Sequence, residues 1–492
     1  MRVAASAFCA RCRPVADIKT LSAAGYHKCC NTSLRGIAFG MFRVLAHRTY
    51  GRLFSAQIIA LIGTGLLTVA LGLLAFDIAD DRAGTVLGTA LAIKMIAYVT
   101  VAPVVGAFSA QLPRRAFLIS MDLVRAAIAL SLPFITEVWQ IYIAVFLLQS
   151  ASAAFTPTFQ ATIPDVLPKE EDYTSALSLS RLAYDLESIV SPMLAAALLT
   201  AINFHWLFAG TMAGFLISAA LVLSVILPVS PAKPSEGGIY NRTTRGSRIY
   251  LATPRLRGLL ALNMAVAMGG ALVIVNTVVI VKGRLGLDDK AVALALACFG
   301  GGSMLSALTL PRVLERVADR TVMLAGATLL TVVLATFSAV LYINGWIVAP
   351  AGTASGWSVL LLTWGLLGVG YSATQTPSGR LLRRSAHAED RPAVFAAQFA
   401  LSHACWLVTY PLAGWLGASL PLAALAGLFG LATAAATVAA VWLWPTKTAE
   451  AMEHDHPDLP ADHPHLKDGG GRHAHPIVID DLHPYWPTAA AL

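Results

Sequence analysis

Twelve apolar stretches divide this 492-residue chain, and each is long enough to cross the hydrocarbon core of a bilayer as a helix, which takes about 20 residues. They cover residues 53–77, 85–110, 116–136, 139–160, 174–200, 204–227, 257–281, 289–311, 321–343, 357–377, 392–417 and 420–444. Lipid offers no partner to a backbone N–H or C=O, so a spanning segment must be a helix or belong to a closed barrel. No stretch alternates with the period of two that a membrane barrel needs. The sequence therefore specifies an all-α membrane protein with twelve transmembrane helices. Composition agrees: 57% hydrophobic against 13% charged residues is not the balance of a soluble domain.

The formal net charge of +8 raises the question of nucleic acid, but Lys and Arg fall in short clusters between apolar runs, with no basic face and no interleaved aromatics. No nucleic-acid partner is expected. Nor does the chain read as an enzyme, because it has no nucleophile elbow, no H-E-x-x-H and no Walker loop. Cys298 and Cys405 lie inside apolar runs, where a thiol acts as a small hydrophobe. Cys9, Cys12, Cys29 and Cys30 have spacings a zinc site uses, yet no other domain feature accompanies them. Residues 1–40 read instead as a disordered extension without a signal-peptide core, and Met41 as an alternative start, since MFRVLAHRTYGRLF leads directly into the first span.

Residues 228–256, rich in Pro, Gly and Arg, separate six spans from six. The expected organisation is an N-terminal bundle over 41–227, a central loop over 228–256, a C-terminal bundle over 257–445 and a tail over 446–492. The halves repeat one another: Thr156-Pro157 in span 4 returns as Thr376-Pro377 in span 10, Pro192 in span 5 as Pro411 in span 11, and Gln57 in span 1 as Asn263 in span 7. Two pseudo-symmetric bundles around a midplane site are a common plan of secondary transporters. Arg114, Arg115, the stretch 233–257, Arg312, Arg316, Arg320, Arg380, Arg383, Arg384 and Arg391 all fall in even-numbered connections. By the positive-inside rule both termini are then cytoplasmic.

With its two six-span halves and GAFSAQLPRR at 106–115, the chain resembles the major facilitator superfamily of transporters over residues 41–445. The resemblance implies that fold, an inner-membrane location, a monomer, and a cytoplasmic latch after span 2 built on Gly106, Arg114 and Arg115. Asp122 and Arg125, near the same end of span 3, are expected to join it. Ala110 stands where the superfamily carries an aspartate, and Pro113 where it carries a later glycine. FTPTFQATIPDVLPKEE (155–171) is similar to the span 4 exit of the branch that includes enterobactin and drug exporters. Within that branch a His-rich end looks most like the nickel-resistance exporters.

Seven of the 12 histidines lie in the tail, as His454-Asp455-His456, His463-Pro464-His465, His473-Ala474-His475 and the single His483. In an extended segment residues i and i+2 share a side, so each H-x-H unit offers two imidazoles together. Imidazole suits nickel, cobalt or zinc, and the missing thiol argues against Cu(I). The tail is thus expected to bind a divalent metal, with no cofactor required for transport. Inside the spans, an ionisable side chain costs roughly 2.5–3.5 kcal/mol and normally faces a cavity or a partner. Lys94, Arg181, Asp185, Glu187 and His403 are such groups, and Arg181 and Asp185 are spaced to pair on one helical face. The Pro192–Pro411 equivalence puts His403 at the depth of Asp185, so Asp185, Glu187 and His403 are expected to exchange protons for cargo in one cavity. Lys94 cuts the other way, because an ammonium repels a metal ion and suits an anion. The function expected is proton-coupled export of a divalent metal, nickel first; the alternative is export of an organic compound, a siderophore or drug, with an incidental tail.

Overall fold

A segment surrounded by lipid gains from being apolar on all sides, and the long helices follow the apolar stretches closely. The computed structural model describes residues 42–79, 83–109, 112–228, 238–343 and 354–445, and in the tail 452–455, 472–475, 477–480, 482–483 and 485–486. The twelve long helices are α1 (Arg48–Ala79), α2 (Ala83–Ser109), α3 (Arg114–Ser131), α4 (Val138–Val166), α5 (Glu170–Leu199), α6 (His205–Leu223), α7 (Pro254–Val278), α8 (Asp289–Leu314), α9 (Asp319–Ile343), α10 (Ala354–Gln375), α11 (Arg391–Ser419) and α12 (Leu422–Leu443). Among the described residues eleven helices are long and apolar enough to cross a membrane. The twelfth of the fold, α5, is 30 residues long and carries Arg181, Asp185 and Glu187. Met41, Ala110 and the four N-terminal cysteines lie outside the described residues.

Each half has its own core. Tyr50, Leu53, Phe159 and Tyr173 pack together in the N-terminal half, where Leu66, Leu74 and Phe208 form a second cluster. Leu272, Phe337 and Trp364 anchor the C-terminal half. The fully buried Trp364 donates its indole N–H to Thr277 Oγ1 at 2.8 Å, which meets the one polar demand of that ring. The repeat read from sequence reappears as geometry. Ser180 donates to Gln57 Oε1 at 3.2 Å, tying α5 to α1, and Asn263 donates to Gln398 Oε1 at 3.3 Å, tying α11 to α7.

The halves meet chiefly where α2 packs on α11 and α5 on α8. Between them, the region expected as a central loop contains a helix, Ile239–Ala252, docked against α2 and α11. It is amphipathic rather than apolar all round, so a search for spanning stretches passes over it. Gly246 backs onto the Ala393 carbonyl so closely that no side chain would fit. Arg245 forms two hydrogen bonds to Asp390, at 2.6 and 3.1 Å, and buried Tyr250 donates to Gln398 Oε1 at 2.5 Å. The side of the bundle on which this helix lies is called the linker face below.

In the tail, strands β1 (Met452–Asp455) and β2 (Arg472–His475) pair antiparallel, with His454 opposite His473 and Met452 opposite His475. His456, His463 and His465 lie outside the described residues. Beyond β2 the chain returns to the linker face: Ile477 and Ile479 are buried, and Ile479 joins Leu381, Leu382 and Phe395 in one cluster.

Candidate functional site

Two groups of polar side chains sit near mid-helix where the halves meet. In the first, Lys94 and Tyr98 of α2 face Phe399 and His403 of α11. The Tyr98 ring centroid lies 4.9 Å from that of Phe399 and 4.7 Å from that of His403, edge-on to the imidazole. The Lys94 ammonium sits 5.6 Å from the Tyr98 ring, a cation–π distance, and interacts electrostatically with both Glu187 and His403. Tyr98 donates its hydroxyl to Gln149 Oε1 at 2.9 Å, and His403 Nδ1 meets the Phe399 carbonyl at 2.7 Å, leaving Nε2 as the ring nitrogen not engaged in that bond. Glu187 and Ser191 press against Gly65 of α1, where an added Cβ would lie 2.6 Å from Glu187 Oε1. Glycine at 65 is what lets α5 bring this acid against α1.

The second group centres on Arg181 and Asp185 of α5. They form the ion pair their four-residue spacing predicts, and Asp185 is buried. Arg181 also reaches the other half: Nε donates to Ser303 Oγ of α8 at 3.1 Å, and the guanidinium stacks 4.5 Å from the Tyr371 ring of α10. From Tyr371 a run of rings continues, with Phe299 at 5.5 Å, Trp406 at 6.4 Å and Tyr410 4.9 Å beyond Trp406. Gly270 of α7 leaves room for the outer edge of the Trp406 ring, which a side chain there would strike.

The described contacts place Asp185 and His403 in different groups: His403 keeps company with Lys94 and Tyr98, and Asp185 with Arg181 and Ser303. Glu187 stands with the first group. Ser303, Tyr371, Tyr98 and the ring series have no signal in the sequence, since neutral polar and aromatic residues in a span look like packing. His454, His473 and His475 are located by strand register alone, whereas His483 Nδ1 bonds Asp480 Oδ1 at 2.9 Å. Among the described residues no three His, Cys, Asp or Glu side chains converge as a metal site would need.

The linker face is held by ions. Asp165, at the end of α4, accepts from Arg114 of its own half at 2.5 Å and from Arg391 of the other half at 2.5 Å. Glu170 at the start of α5 pairs with Arg384 at 2.5 Å and Arg380 at 2.9 Å, and both arginines also pair with Asp319, at 3.1 and 3.0 Å. Arg380 donates to Thr174 Oγ1 at 2.9 Å, and Arg383 to the Pro168 carbonyl. The contacts between the halves run from PDVLPKEE and the residues after it to the basic stretch 380–391, so this face is closed between the halves. Gly106 packs on Ala393 and Ala396 of α11 beneath them.

The expected latch members divide. Arg114 belongs to the cross-half network. Arg115 donates to the Leu223 carbonyl, on its own half. Asp122 and Arg125 form an ion pair inside the N-terminal bundle, where Asp122 accepts from Ser218 at 2.8 Å and Arg125 lies between the Phe155 and Phe215 rings at 4.2 and 4.5 Å. The carboxylate that pairs with Arg114 is Asp165, which lies within PDVLPKEE and which the sequence did not mark. A basic stretch facing an acidic one across the duplicated loops was the available signal.

Comparison with known proteins agrees with this architecture. The family model described as Major Facilitator Superfamily matches residues 53–349 and 259–468. Macrolide efflux protein A of Streptococcus pyogenes is 25% identical over 181 residues, covering 36% of this chain and 44% of that protein. The protein of the same name from Enterococcus faecalis is 27% identical over 152 residues, or 29% and 47% of the two chains. The matched stretch therefore spans less than half the length of these relatives. Among solved structures, the human organic anion transporter MFSD10 superposes with a TM-score of 0.65 at 12% identity, over 80% of this chain and 99% of that one. A bacterial homologue of the iron transporter ferroportin, in its outward-facing state, gives 0.64 at 15% identity over 80% and 99%. Two duplicated six-helix halves, charged groups in the layer between them and a loop-to-loop ionic closure are the plan of a membrane transporter, and this chain belongs to the Major Facilitator Superfamily.

Proposed function

We propose that this protein is a proton-coupled exporter of an amphiphilic organic compound, working in the cell inner membrane with its linker face toward the cytoplasm. One observation carries the reading: the central layer sets charged groups among aromatic rings, from Tyr98, Phe399 and His403 to Tyr371, Trp406 and Tyr410. Rings and a few fixed charges suit an organic molecule with an apolar body, whereas a divalent ion needs converging oxygen or imidazole donors. The macrolide efflux relatives support the same class of cargo and the outward direction.

In this scheme Glu187 and His403 carry the proton, since both interact electrostatically with Lys94 and, among the described residues, neither is held in an arginine ion pair. A proton arriving from outside neutralises Glu187 and frees Lys94 to act on the cargo; its release to the cytoplasm restores the Glu187–Lys94 attraction. Arg181 and Asp185 brace the layer and contact cargo through Tyr371. The divalent-metal cargo expected from the tail becomes the second reading, supported by the strand register that sets His454 opposite His473.

Accumulation of a radiolabelled macrolide separates the two in cells stripped of their own efflux pumps. Expression should lower accumulation severalfold, and a protonophore should remove the difference. Unchanged macrolide and dye accumulation, together with lowered Ni²⁺, Co²⁺ or Zn²⁺ content, would replace the organic reading with the metal one.

A further inference from the structure

The end of the chain makes a contact that transport does not use. After β2, Ile477 and Ile479 are buried on the linker face, and Ile479 packs with Leu381, Leu382, Ala386 and Phe395. Asp480 reaches His387 Nε2 at 3.4 Å, in the turn between α10 and α11. Trp486 packs on the same cluster, with its ring 5.8 Å from the Arg255 guanidinium. Arg255 in turn donates to Ser385 Oγ and to the Arg384 carbonyl, both at 2.7 Å. Arg384 is one of the two arginines that hold Glu170 of the other half. Tail, turn and gate are therefore one continuous set of contacts.

We propose that Ile479, Asp480 and Trp486 of the tail form an autoinhibitory clasp: seated on the turn 385–390, it braces the closed linker-face gate, and it loosens when His387 loses its charge. The gate can open only if the turn moves away from Glu170 with α11. The apolar cluster that Ile479 joins also contains Ala161 of α4, in the other half, so a clasp seated on it adds packing shared by both halves and resists that movement. Two buried isoleucines and a tryptophan supply the adhesion, and the His387–Asp480 pair makes it conditional.

The groups facing His387 set the sign. Asp480 meets it from the tail with one carboxylate oxygen while His483 holds the other at 2.9 Å, Glu389 and Asp390 meet it from its own turn, and Arg245 of the linker helix pairs with Asp390. The hydrogen bond to Asp480 first, and the charges of Asp480, Glu389 and Asp390 after it, hold the imidazole above its ordinary value of 6.5 against the opposing effect of burial. A group whose value is raised on docking contributes in full below its free value and loses that contribution as pH rises through the docked one. Docking is therefore firm in acid and weakens from about pH 6.5 upward. An acidified cytoplasm would keep the exporter shut, which stops it from importing more protons.

Gate opening can be read without any cargo, so this test stands apart from the identity of the substrate. Thr174, 2% exposed and bonded to Arg380, is covered only while the gate is closed. Thr174→Cys in a chain whose six native cysteines are replaced by alanine is reacted with N-ethylmaleimide at pH 5.5 and 8.0. The full-length chain is compared with one truncated after His475 and with His387→Gln, and rates are taken relative to the truncated form at each pH, which cancels thiol ionisation. Truncation should speed labelling at least threefold at pH 5.5 and much less at pH 8.0, and His387→Gln should show at both pH values the small difference from the truncated chain that the full-length chain shows at pH 8.0. Equal rates in all three forms, or a ratio that does not change with pH, would overturn the clasp. Should His387→Gln fold poorly, Asp480→Asn removes the same pair from the tail side and must give the same result.

Discussion

At the scale of single residues, the charged side chains of the central layer separate into held and unheld. Asp185 is buried and its charge is matched by Arg181, itself stacked on Tyr371 and bonded to Ser303. Removing one partner of such a pair strands the other, at roughly 3–5 kcal/mol, whereas replacing both costs far less. Asp185→Asn should therefore lower the unfolding temperature in detergent as well as transport, and Arg181→Met with Asp185→Asn should recover most of the stability. A single variant as stable as the parent would mean that the pair contributes no structure. Glu187 is different, because its cation, Lys94, acts on it across the layer without forming a close ion pair. Glu187→Gln should leave the unfolding temperature nearly unchanged and abolish transport driven by a pH gradient in proteoliposomes, while exchange of labelled for unlabelled cargo continues. Full pH-driven transport would remove Glu187 as the proton carrier. The i,i+4 pairing of Arg181 and Asp185 was legible in the sequence because it is local. Their link to Ser303, over 100 positions away, was not, and neither was the association of His403 with Lys94 rather than Asp185.

At the scale of elements, legibility follows the solvent. Lipid imposes one rule on every spanning segment, so the apolar stretches and the helices agree to within a few residues, even for α5 with its charges. The linker helix Ile239–Ala252 obeys no such rule: Arg248 is exposed, Arg245 reaches Asp390, and Ile249 and Tyr250 are its buried apolar residues. It follows the amphipathic pattern instead, and its docking on α2 and α11 shows which face is covered. Gly246 is the point of closest approach to α11, and a large side chain there must push the helix off Ala393. Gly246→Leu should cost about 1–3 kcal/mol of local packing and expose the arginines of this helix. Trypsin cleavage within 242–248 should then accelerate at least fivefold over the parent protein; unchanged cleavage would show that the helix sits on the bundle without depending on this contact.

For the whole molecule, the described contacts define one state of an alternating cycle, with the linker face closed by acids of the N-terminal half and bases of the C-terminal half. The closure has unequal parts. Asp165 is 13% exposed and bridges Arg114 and Arg391, one from each half, while Glu170 is 42% exposed and its partner Arg384 is 48% exposed. Exposed ion pairs contribute about 0–1 kcal/mol and are screened by salt, whereas a shielded bridge contributes more and its loss leaves two guanidinium groups facing each other. The bridge at Asp165 should therefore dominate the balance between the two states. Each 1.4 kcal/mol shifts that balance about tenfold, so even a partial loss is measurable. Spin labels placed on the linker-face ends of α4 and α11 report the separation of the halves. Asp165→Asn should populate a longer distance that is a minor component in the parent, and Glu170→Gln should shift it much less. Raising ionic strength should move the parent toward the longer distance by way of the exposed pairs, and should do less to Asp165→Asn, which has already lost the principal bridge. If Glu170→Gln opened the face more than Asp165→Asn, burial would not be what ranks these pairs, and the closure would depend on the number of contacts at Arg380 and Arg384 instead.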